Sequence, residues 1–414
     1  MKILIIGSGG REHAIAWKLS QNKKIKHIYV TPGNAGIDLL EKGESIKIKD
    51  TDEILKFALE EKIDLTLVGS EELLVAGIVD KFKEKNLKIF GPDKKAAMLE
   101  GSKVYSKKFM NKYGVKTAEY EVFTDSIKAL EYLEKIEFPV VVKASGLAAG
   151  KGVIIAQNKE EAKTAVREIM IDKKFSHAGD EVVIEEFLEG YEASILSFTD
   201  SRVILPMLAA KDHKKIYENE TGLNTGGMGV ISPNPYVTEE VLEEFQKKIL
   251  EPTLDGIKKE EMDFEGVIFF GIMITKKGVY LLEYNMRMGD PETQAILPLL
   301  KSDLLDIIES CFEKELYNQK LVWEEKYSCC IVASSSGYPE KYKTGIEVTF
   351  DENINLVFFA GIEKLENRFL TAGGRVLNVI GTGESLELAR EKAYENIMKI
   401  HFDGMYYRKD IGKI

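Results

Sequence analysis

Cysteine is scarce. The 414 residues hold three, Cys311, Cys329 and Cys330, an odd count with two neighbours and no metal-binding spacing. That pattern fits reduced thiols in a cytoplasm, and with no histidine-bearing motif beside them they read as structural. Long apolar runs are missing too: none approaches the ~20 residues of a membrane span. The opening Met1-Lys-Ile-Leu-Ile-Ile-Gly7 is too short an apolar run for a signal peptide and leads directly into a glycine motif. A basic excess is also absent, since 57 Lys and Arg face 68 Asp and Glu for a net charge of −11. Phosphate backbones select a basic face, so nucleic acid is not the expected main partner. Small anions remain possible ligands, because they feel local lysines and helix N-termini more than net charge. Neither internal repeats nor low-complexity tracts occur. What is present is globular: 44% apolar and 30% charged residues, in a chain long enough for roughly two to four domains.

Alternating strand and helix patterns fill residues 1–100. Short buried strands are expected at Ile3 to Ile6, His27 to Val30, Asp64 to Val68 and Lys88 to Phe90, with helices after Gly10, Asp52 and Glu71. Such alternation implies a parallel sheet with helices on its faces. Gly91-Pro92 ends the unit, and a helical stretch runs through Met110. A smaller α+β unit spans 112–190, with strands Val140 to Lys143, Gly152 to Ala156 and Glu181 to Leu188 and a helix from Glu160 to Met170. Strands dominate 191–320, with helices after Pro291 and Asp303. The segment 325–414 holds strands Cys329 to Ala333 and Val357 to Ala360 and a helix from Leu386 to Lys399.

Gly7-Ser8-Gly9-Gly10-Arg11-Glu12 follows a strand and opens a helix, where backbone N–H groups can bind an anion. A dinucleotide fingerprint needs glycine where Glu12 stands, and no acidic residue follows the second strand to grip a ribose. A phosphate-sized ligand or a tight turn are the remaining readings. Pro32-Gly-Asn34-Ala-Gly36 and Gly69-Ser70-Glu71 lie at the same sheet edge, so a shared pocket is expected there.

Lys143-Ala-Ser145-Gly-Leu-Ala-Ala-Gly150-Lys151-Gly152 joins two strands. Its glycine spacing and its strand-to-strand setting exclude a P-loop, and a hairpin flap over phosphates is expected. Glu283-Tyr-Asn285-Met-Arg287 places a carboxylate, an amide oxygen and a guanidinium on one strand face by period two. Glu283 and Asn285 are hard oxygen ligands suited to Mg²⁺, and Arg287 can stabilise a transferring phosphoryl group. Together these are parts of a phosphoryl-transfer site. The acidic stretch Glu185-Glu-Phe-Leu188-Glu-Gly-Tyr-Glu192 and the polar stretch from Asp212-His-Lys214 to Thr225-Gly226-Gly227-Met-Gly229 are weak signals alone.

The glycine flap, the Glu-Glu-Phe-Leu hinge and the Glu-x-Asn-x-Arg strand together resemble the ATP-grasp superfamily. The ordered motifs Gly7-Ser-Gly-Gly-Arg-Glu-His13, Pro32-Gly-Asn-Ala-Gly36, Gly-Leu-Ala-Ala-Gly-Lys-Gly152, Asn224-Thr-Gly-Gly-Met-Gly229, Gly289-Asp-Pro-Glu-Thr-Gln294, Gly373-Gly-Arg-Val376 and Arg408-Lys-Asp-Ile-Gly412 narrow it. They resemble the glycinamide ribonucleotide synthetase family of purine synthesis over nearly the whole chain. The resemblance implies a multidomain α/β and α+β protein. It would carry an N-terminal Rossmann-like domain (1–100), an ATP-grasp fold (112–190 flap, 191–320 with the metal site) and a small β-rich C-terminal domain (325–414).

It also implies a C–N ligase joining glycine to 5-phosphoribosylamine through glycyl phosphate, with ATP and Mg²⁺ or Mn²⁺. Lys143, Arg287 and Asp212 would be catalytic, with Asp212 also on the substrate amino group. Lys103, Lys143, Gly150, Lys151, Gly152, Glu185, Glu186, Leu188 and Glu192 would hold ATP. Gly9, Asn34, Glu71, Lys214, Thr225 and Gly226 would hold the other substrates, and Glu283 and Asn285 the metal. A cytoplasmic monomer is expected, with no nucleic-acid or membrane partner. Several positions depart from the family pattern: Ser145 for Asp, Ser70, Glu72 and Leu73 around Glu71, and Phe359 for His. Another ATP-grasp ligase with a different acceptor is the nearest alternative. A nucleotide-binding regulator has no need of Arg287, and a dehydrogenase is disfavoured by Glu12.

Overall fold

The computed structural model describes residues 1–148, 151–351 and 354–413. The first strand, Lys2–Gly7, shows why the N-terminal sheet is sandwiched. Ile3 and Ile5 pack with Ala14 and Ile15 of the helix Gly10–Ser20, while Leu4 and Ile6 pack with Ile54 and Ala58 of the helix Thr51–Glu60. Alternate residues bury on opposite faces, as a parallel strand covered on both sides requires. The sheet is wholly parallel, in spatial order Gly43–Ser45, His27–Pro32, Lys2–Gly7, Leu65–Val68, Ile89–Phe90. The edge strand Gly43–Ser45 was not expected, because Gly-Glu-Ser carries no apolar alternation. At the far end of the third expected helix the backbone turns at Gly77 (φ +90°), so Glu71–Ala76 and Ile78–Glu84 are two helices.

The unit around the flap is an antiparallel sheet ordered Tyr120–Phe123, Val182–Glu186, Val140–Ala144, Val153–Ala156. Lys143 pairs with Val153 at the mouth of the flap hairpin. The covering helix is α-helical over Lys159–Val166 and widens to a π turn over Arg167–Ile171. Ala162, Val166 and Ile169 form its buried stripe.

A second antiparallel sheet, ordered Ile204–Pro206, Tyr191–Thr199, Gly266–Thr275, Gly278–Asn285, carries the Glu-x-Asn-x-Arg segment. Glu239–Phe245, a π turn at Gln246–Leu250 and Glu251–Lys259 cover it, burying Phe245, Ile249 and Ile257 against Phe270 and Tyr284. That helical run lies where mainly strands were expected. Pro252 sits at its N-terminal side of the last helix, a position that tolerates proline.

The remaining strands join across the chain. Lys211–Asp212 and Gly229–Ser232 share one sheet with Tyr327–Ser334, Arg375–Gly383 and Val357–Phe359. The helix Leu386–Ile397 lies on it so closely that a Cβ at Gly381 would stand 2.1 Å from Ala389 O. A small antiparallel sheet of Ile362–Leu365, Arg368–Thr371, Glu347–Phe350 and Ile400–His401 completes the C-terminal part. The parallel N-terminal sheet and the small β-rich end are as expected, and between them lie two antiparallel sheets with covering helices. Among the described residues, no helix is long and apolar enough to cross a membrane.

Candidate active site

The three loops at the carboxyl edge of the parallel sheet converge, and the protein's own carboxylates fill the space between them. Gly9 N–H donates to Glu12 Oε2 at 2.6 Å, and Arg11 N–H donates to Asp290 Oδ2 at 3.3 Å. A Cβ at Gly69 would lie 1.9 Å from Glu12 Oε1. These glycines therefore make room for a side-chain carboxylate at the helix N-terminus, where an anion is favourable. Asn34 is equally committed. Its Nδ2 group donates to Ser8 O (2.9 Å), Gly9 O (3.2 Å) and Phe359 O (2.9 Å), and its Oδ1 accepts Gly36 N–H (2.9 Å). It ties two N-terminal loops to the C-terminal part.

Glu71 stands between two guanidinium groups, 3.7 Å from Arg11 Nη2 and 3.6 Å from Arg287 Nε. Burial raises its carboxyl, but Arg287 and Arg11 outweigh burial and hold it below the usual range. The unusual residues around it have a local cause. Ser70 caps the helix Glu71–Ala76 by accepting Leu73 N–H, and Glu71 and Glu72 lie in its positive first turn.

Across the cleft, Glu283 and Asn285 sit opposite Gly271 and Phe269, at the end of the strand Gly278–Asn285. Burial would raise the Glu283 carboxyl; Lys214, Lys103, Lys143 and Arg287 together hold it below the usual range. Among the described residues no three His, Cys, Asp or Glu side chains gather as a metal group. A two-oxygen set suits a cation that takes the rest of its shell from phosphates and water. Arg287 Nη2 pairs with Glu100 Oε1 at 2.9 Å.

Lys143 enters this cleft from the flap's first strand and is held by Glu185, Nζ to Oε2 2.8 Å. Lys107 approaches the other oxygen at 3.3 Å and donates to Thr117 Oγ1 at 2.7 Å. Burial lowers Lys107 to about 8, with Glu185 opposing. The Glu185 carboxylate is thus engaged by two lysines, and Lys107 is a member of the site that sequence reasoning missed. Glu186 is exposed and accepts Glu119 N–H at 3.1 Å; Glu192 pairs with Lys214 at 2.9 Å. Leu188 is half-buried in the hinge between them. Lys151 reaches Pro339 O at 3.1 Å, and Gly152 O accepts Ala144 N–H at 2.8 Å. Gly150 lies outside the described residues. The flap root is capped: Ser145 accepts Val104 N–H on Oγ (3.3 Å) and Lys103 N–H on its carbonyl (2.7 Å). Burial lowers Lys103, with Glu283 opposing.

A third cluster faces the shared sheet. Asp212 is half-buried, and its Oδ1 is enclosed beneath Gly227 (φ +109°), whose Cβ would stand 2.7 Å from it. That oxygen has no hydrogen-bond partner. Burial and the nearby Glu292 push the Asp212 carboxyl far up. Glu292 is raised by burial as well and accepts Ser194 Oγ at 3.1 Å. Arg375, from the C-terminal part, pairs with Asp290 Oδ1 at 3.1 Å and donates to Asp290 O (2.8 Å) and to Gly226 O. Gly226 N–H donates to Tyr338 Oη at 2.9 Å. Thr225 Oγ1 donates to Lys214 O at 2.8 Å and accepts Gly227 N–H at 3.0 Å, so it shapes the turn. The signal for Arg375 and Glu292 lay in the Gly-Gly-Arg-Val and Gly-Asp-Pro-Glu motifs. For Lys107 and Glu100 nothing in the local sequence stood out. Phe359 points away from the site: its ring stacks on Phe350 at 5.4 Å in the C-terminal core.

Comparison with known proteins matches three successive stretches of the chain. Residues 1–100 match the family model described as phosphoribosylglycinamide synthetase, N domain, residues 101–293 the ATP-grasp (A) domain, and residues 328–414 the C domain. The phosphoribosylamine–glycine ligase of Fusobacterium nucleatum is 60% identical over 420 residues, covering 100% of this chain and 99% of the relative. The crystal structure of phosphoribosylamine–glycine ligase from Thermotoga maritima is 35% identical, with a TM-score of 0.87 over 99% of this chain and 100% of that one. The biotin carboxylase domain of Hydrogenobacter thermophilus 2-oxoglutarate carboxylase, in complex with MgADP, shares the fold at 16% identity. Its TM-score is 0.76, over 98% of this chain and 91% of that one.

Proposed function

The chain belongs to the phosphoribosylglycinamide synthetase family, and we propose from this premise how its residues carry out the ligation of glycine to 5-phosphoribosylamine in purine biosynthesis. The products are glycinamide ribonucleotide, ADP and phosphate. A carboxylate oxygen of glycine attacks the γ-phosphorus of ATP, the bond to the ADP oxygen breaks, and glycyl phosphate forms. The amine of phosphoribosylamine then attacks the acyl carbon, phosphate leaves, and the amine proton is lost.

The observation that supports this reading is the cationic setting of Glu283. A carboxylate under the influence of Lys214, Lys103, Lys143 and Arg287 suits a site for a polyanion and a cation. Glu283 and Asn285 would hold Mg²⁺, with Mn²⁺ as an alternative, which would offset the charge of the phosphates. Lys143 and Lys103 face the phosphates, and Arg287 stabilises charge on the transferring group. Lys151 and Gly152 of the flap cover the phosphates and shield glycyl phosphate from water. Glu186, Leu188 and Glu192 border the adenosine side, with Glu185 acting chiefly by fixing Lys143.

Asp212, with an unpartnered buried oxygen, takes the glycine amino group beside Lys214, Thr225 and Gly226. The loops at Gly9, Asn34 and Glu71 form the phosphoribosylamine side. In this reading residues 1–100 bind the acceptor, 112–190 carry the flap, 191–320 the metal strand, and 325–414 close the wall through Arg375. The three buried free thiols support a cytoplasmic setting, and a monomer suffices for the site. The test is ADP release with ATP, Mg²⁺ and glycine, with and without fresh phosphoribosylamine. Release that requires both, with glycinamide ribonucleotide detected by mass, supports the reading. Turnover only with another acceptor overturns it.

A further inference from the structure

Arg287 has many neighbours but few close ones. Nη1 is 3.3 Å from Met288 O, Nη2 is 3.4 Å from Asn285 Oδ1, and Nε makes no hydrogen bond, with Glu71 Oε2 at 3.6 Å. One contact is short, Nη2 to Glu100 Oε1 at 2.9 Å. The second oxygen of Glu100 accepts Met286 N–H at 2.7 Å. One buried carboxylate, with a side chain 6% exposed, therefore binds both the guanidinium and the backbone one residue before it. Charge-assisted bonds of this kind are short and strong, and they set direction as well as energy.

We propose that Glu100 is the positioning residue of Arg287, holding its guanidinium against the strand so that the remaining donors face the transferring phosphoryl group. The proposal rests on the role given to Arg287 above. Glutamate is the residue that fits. Glutamine has one oxygen for two donors, so either Met286 N–H or the guanidinium meets an amide N–H₂ instead of an acceptor. Aspartate keeps the charge but is one methylene short.

The placement of Glu100 adds a second consequence. Its helix, Lys94–Gly101, ends at Ser102, which caps the next helix by accepting Tyr105 N–H at 3.1 Å. Ser102 Oγ lies 3.2 Å from Ser145 Oγ, and the backbone N–H groups of Lys103 and Val104 bind Ser145 at the flap root. The group that fixes Arg287, at Glu100, thus lies two to four positions before the groups that fix the flap, at Ser102, Lys103 and Val104. Positioning of the arginine and anchoring of the flap run through one rigid junction.

The experiment is a double-mutant cycle on the full-length enzyme with Glu100→Gln, Arg287→Ala and the combination. Glu100→Gln is expected to lower kcat about 10-fold or more, with KM for ATP and glycine changed by less than about 3-fold. The double variant is expected to be no slower than Arg287→Ala, because Glu100 acts through the arginine. Glu100→Asp, which keeps the charge, is expected to fall between wild type and Glu100→Gln, and guards against a folding defect in the glutamine variant. Wild-type kcat in Glu100→Gln, or losses that multiply in the double variant, overturn the positioning role alone. Wild-type kcat in Arg287→Ala overturns the role of the arginine, and the proposal with it.

Discussion

His13 offers a sharp test of how the N-terminal and C-terminal parts are held together. Its ring is 5% exposed, edge-on to Phe358 and Phe359, and its Nδ1 accepts Phe359 N–H at 2.9 Å. Burial pushes the imidazole from 6.5 down to about 3. The folded ring stays neutral where the unfolded ring takes a proton. Stability from this site is therefore intact above pH 6.5, falls as pH drops below it, and stops falling only below about pH 3. Between pH 7 and pH 5 the linkage amounts to about 2 kcal/mol lost from the native state.

His13→Asn is the perturbation. The amide oxygen can replace Nδ1 as acceptor for Phe359 N–H, and it does not titrate. The variant loses ring packing, but that cost is the same at both pH values. His213, which burial lowers to about 4, is present in both proteins and cancels. Urea unfolding is followed by the fluorescence of Trp17, which lies on the same helix with its ring 5.5 Å from Phe358. Wild type should lose about 2 kcal/mol more than the variant between pH 7 and pH 5. Parallel pH curves for the two proteins would falsify the buried, neutral assignment.

Glu283→Gln should raise the Mg²⁺ concentration needed for half-maximal activity, since an amide is a poorer hard ligand than a carboxylate; an unchanged metal dependence removes Glu283 from the cation. Gly227→Ala places a Cβ 2.5 Å from Pro291 Cδ and 2.7 Å from Asp212 Oδ1 at a φ of +109°. Its kcat/KM for glycine should fall about 10-fold or more while ATP binding stays near wild type, and equal losses for both substrates would place Asp212 elsewhere in the reaction. Glu185→Gln leaves Lys143 and Lys107 buried without a counter-charge. It should cost about 3 kcal/mol in urea unfolding and raise KM for ATP, whereas wild-type stability would show that the pair carries no structural weight.

Much of this architecture was legible because local rules agree. The run Ile3-Leu-Ile-Ile6 and its flanking helices read as a buried parallel strand, and period two linked Glu283 to Asn285; Arg287, expected on the same strand face, lies past the strand's end at Asn285, in a bend. Glu12 was legible as a departure from a dinucleotide loop. Its cause was not, because the carboxylate finds its place only when Gly7, Gly9 and Gly69 meet in space. The same holds for Glu185. Its place in an acidic stretch gave no hint that Lys107 and Lys143, far apart in sequence, both turn toward it. The joining of Gly229–Ser232 to Tyr327–Ser334 is a long-range pairing that no periodicity encodes. Ser145 and Ser70 were read as losses from a family pattern. Each is a helix-terminal acceptor, satisfying a backbone N–H that would otherwise be orphaned.

In the proposed reaction glycine's carboxylate takes the γ-phosphoryl group before the amine attacks. The direct measurement uses glycine labelled with ¹⁸O in its carboxylate, turned over with ATP, Mg²⁺ and phosphoribosylamine, with the released phosphate read by mass spectrometry. Each phosphate is expected to carry one ¹⁸O atom, because the bridging oxygen of glycyl phosphate leaves with phosphorus. Unlabelled phosphate alongside stoichiometric glycinamide ribonucleotide would contradict the proposed reaction.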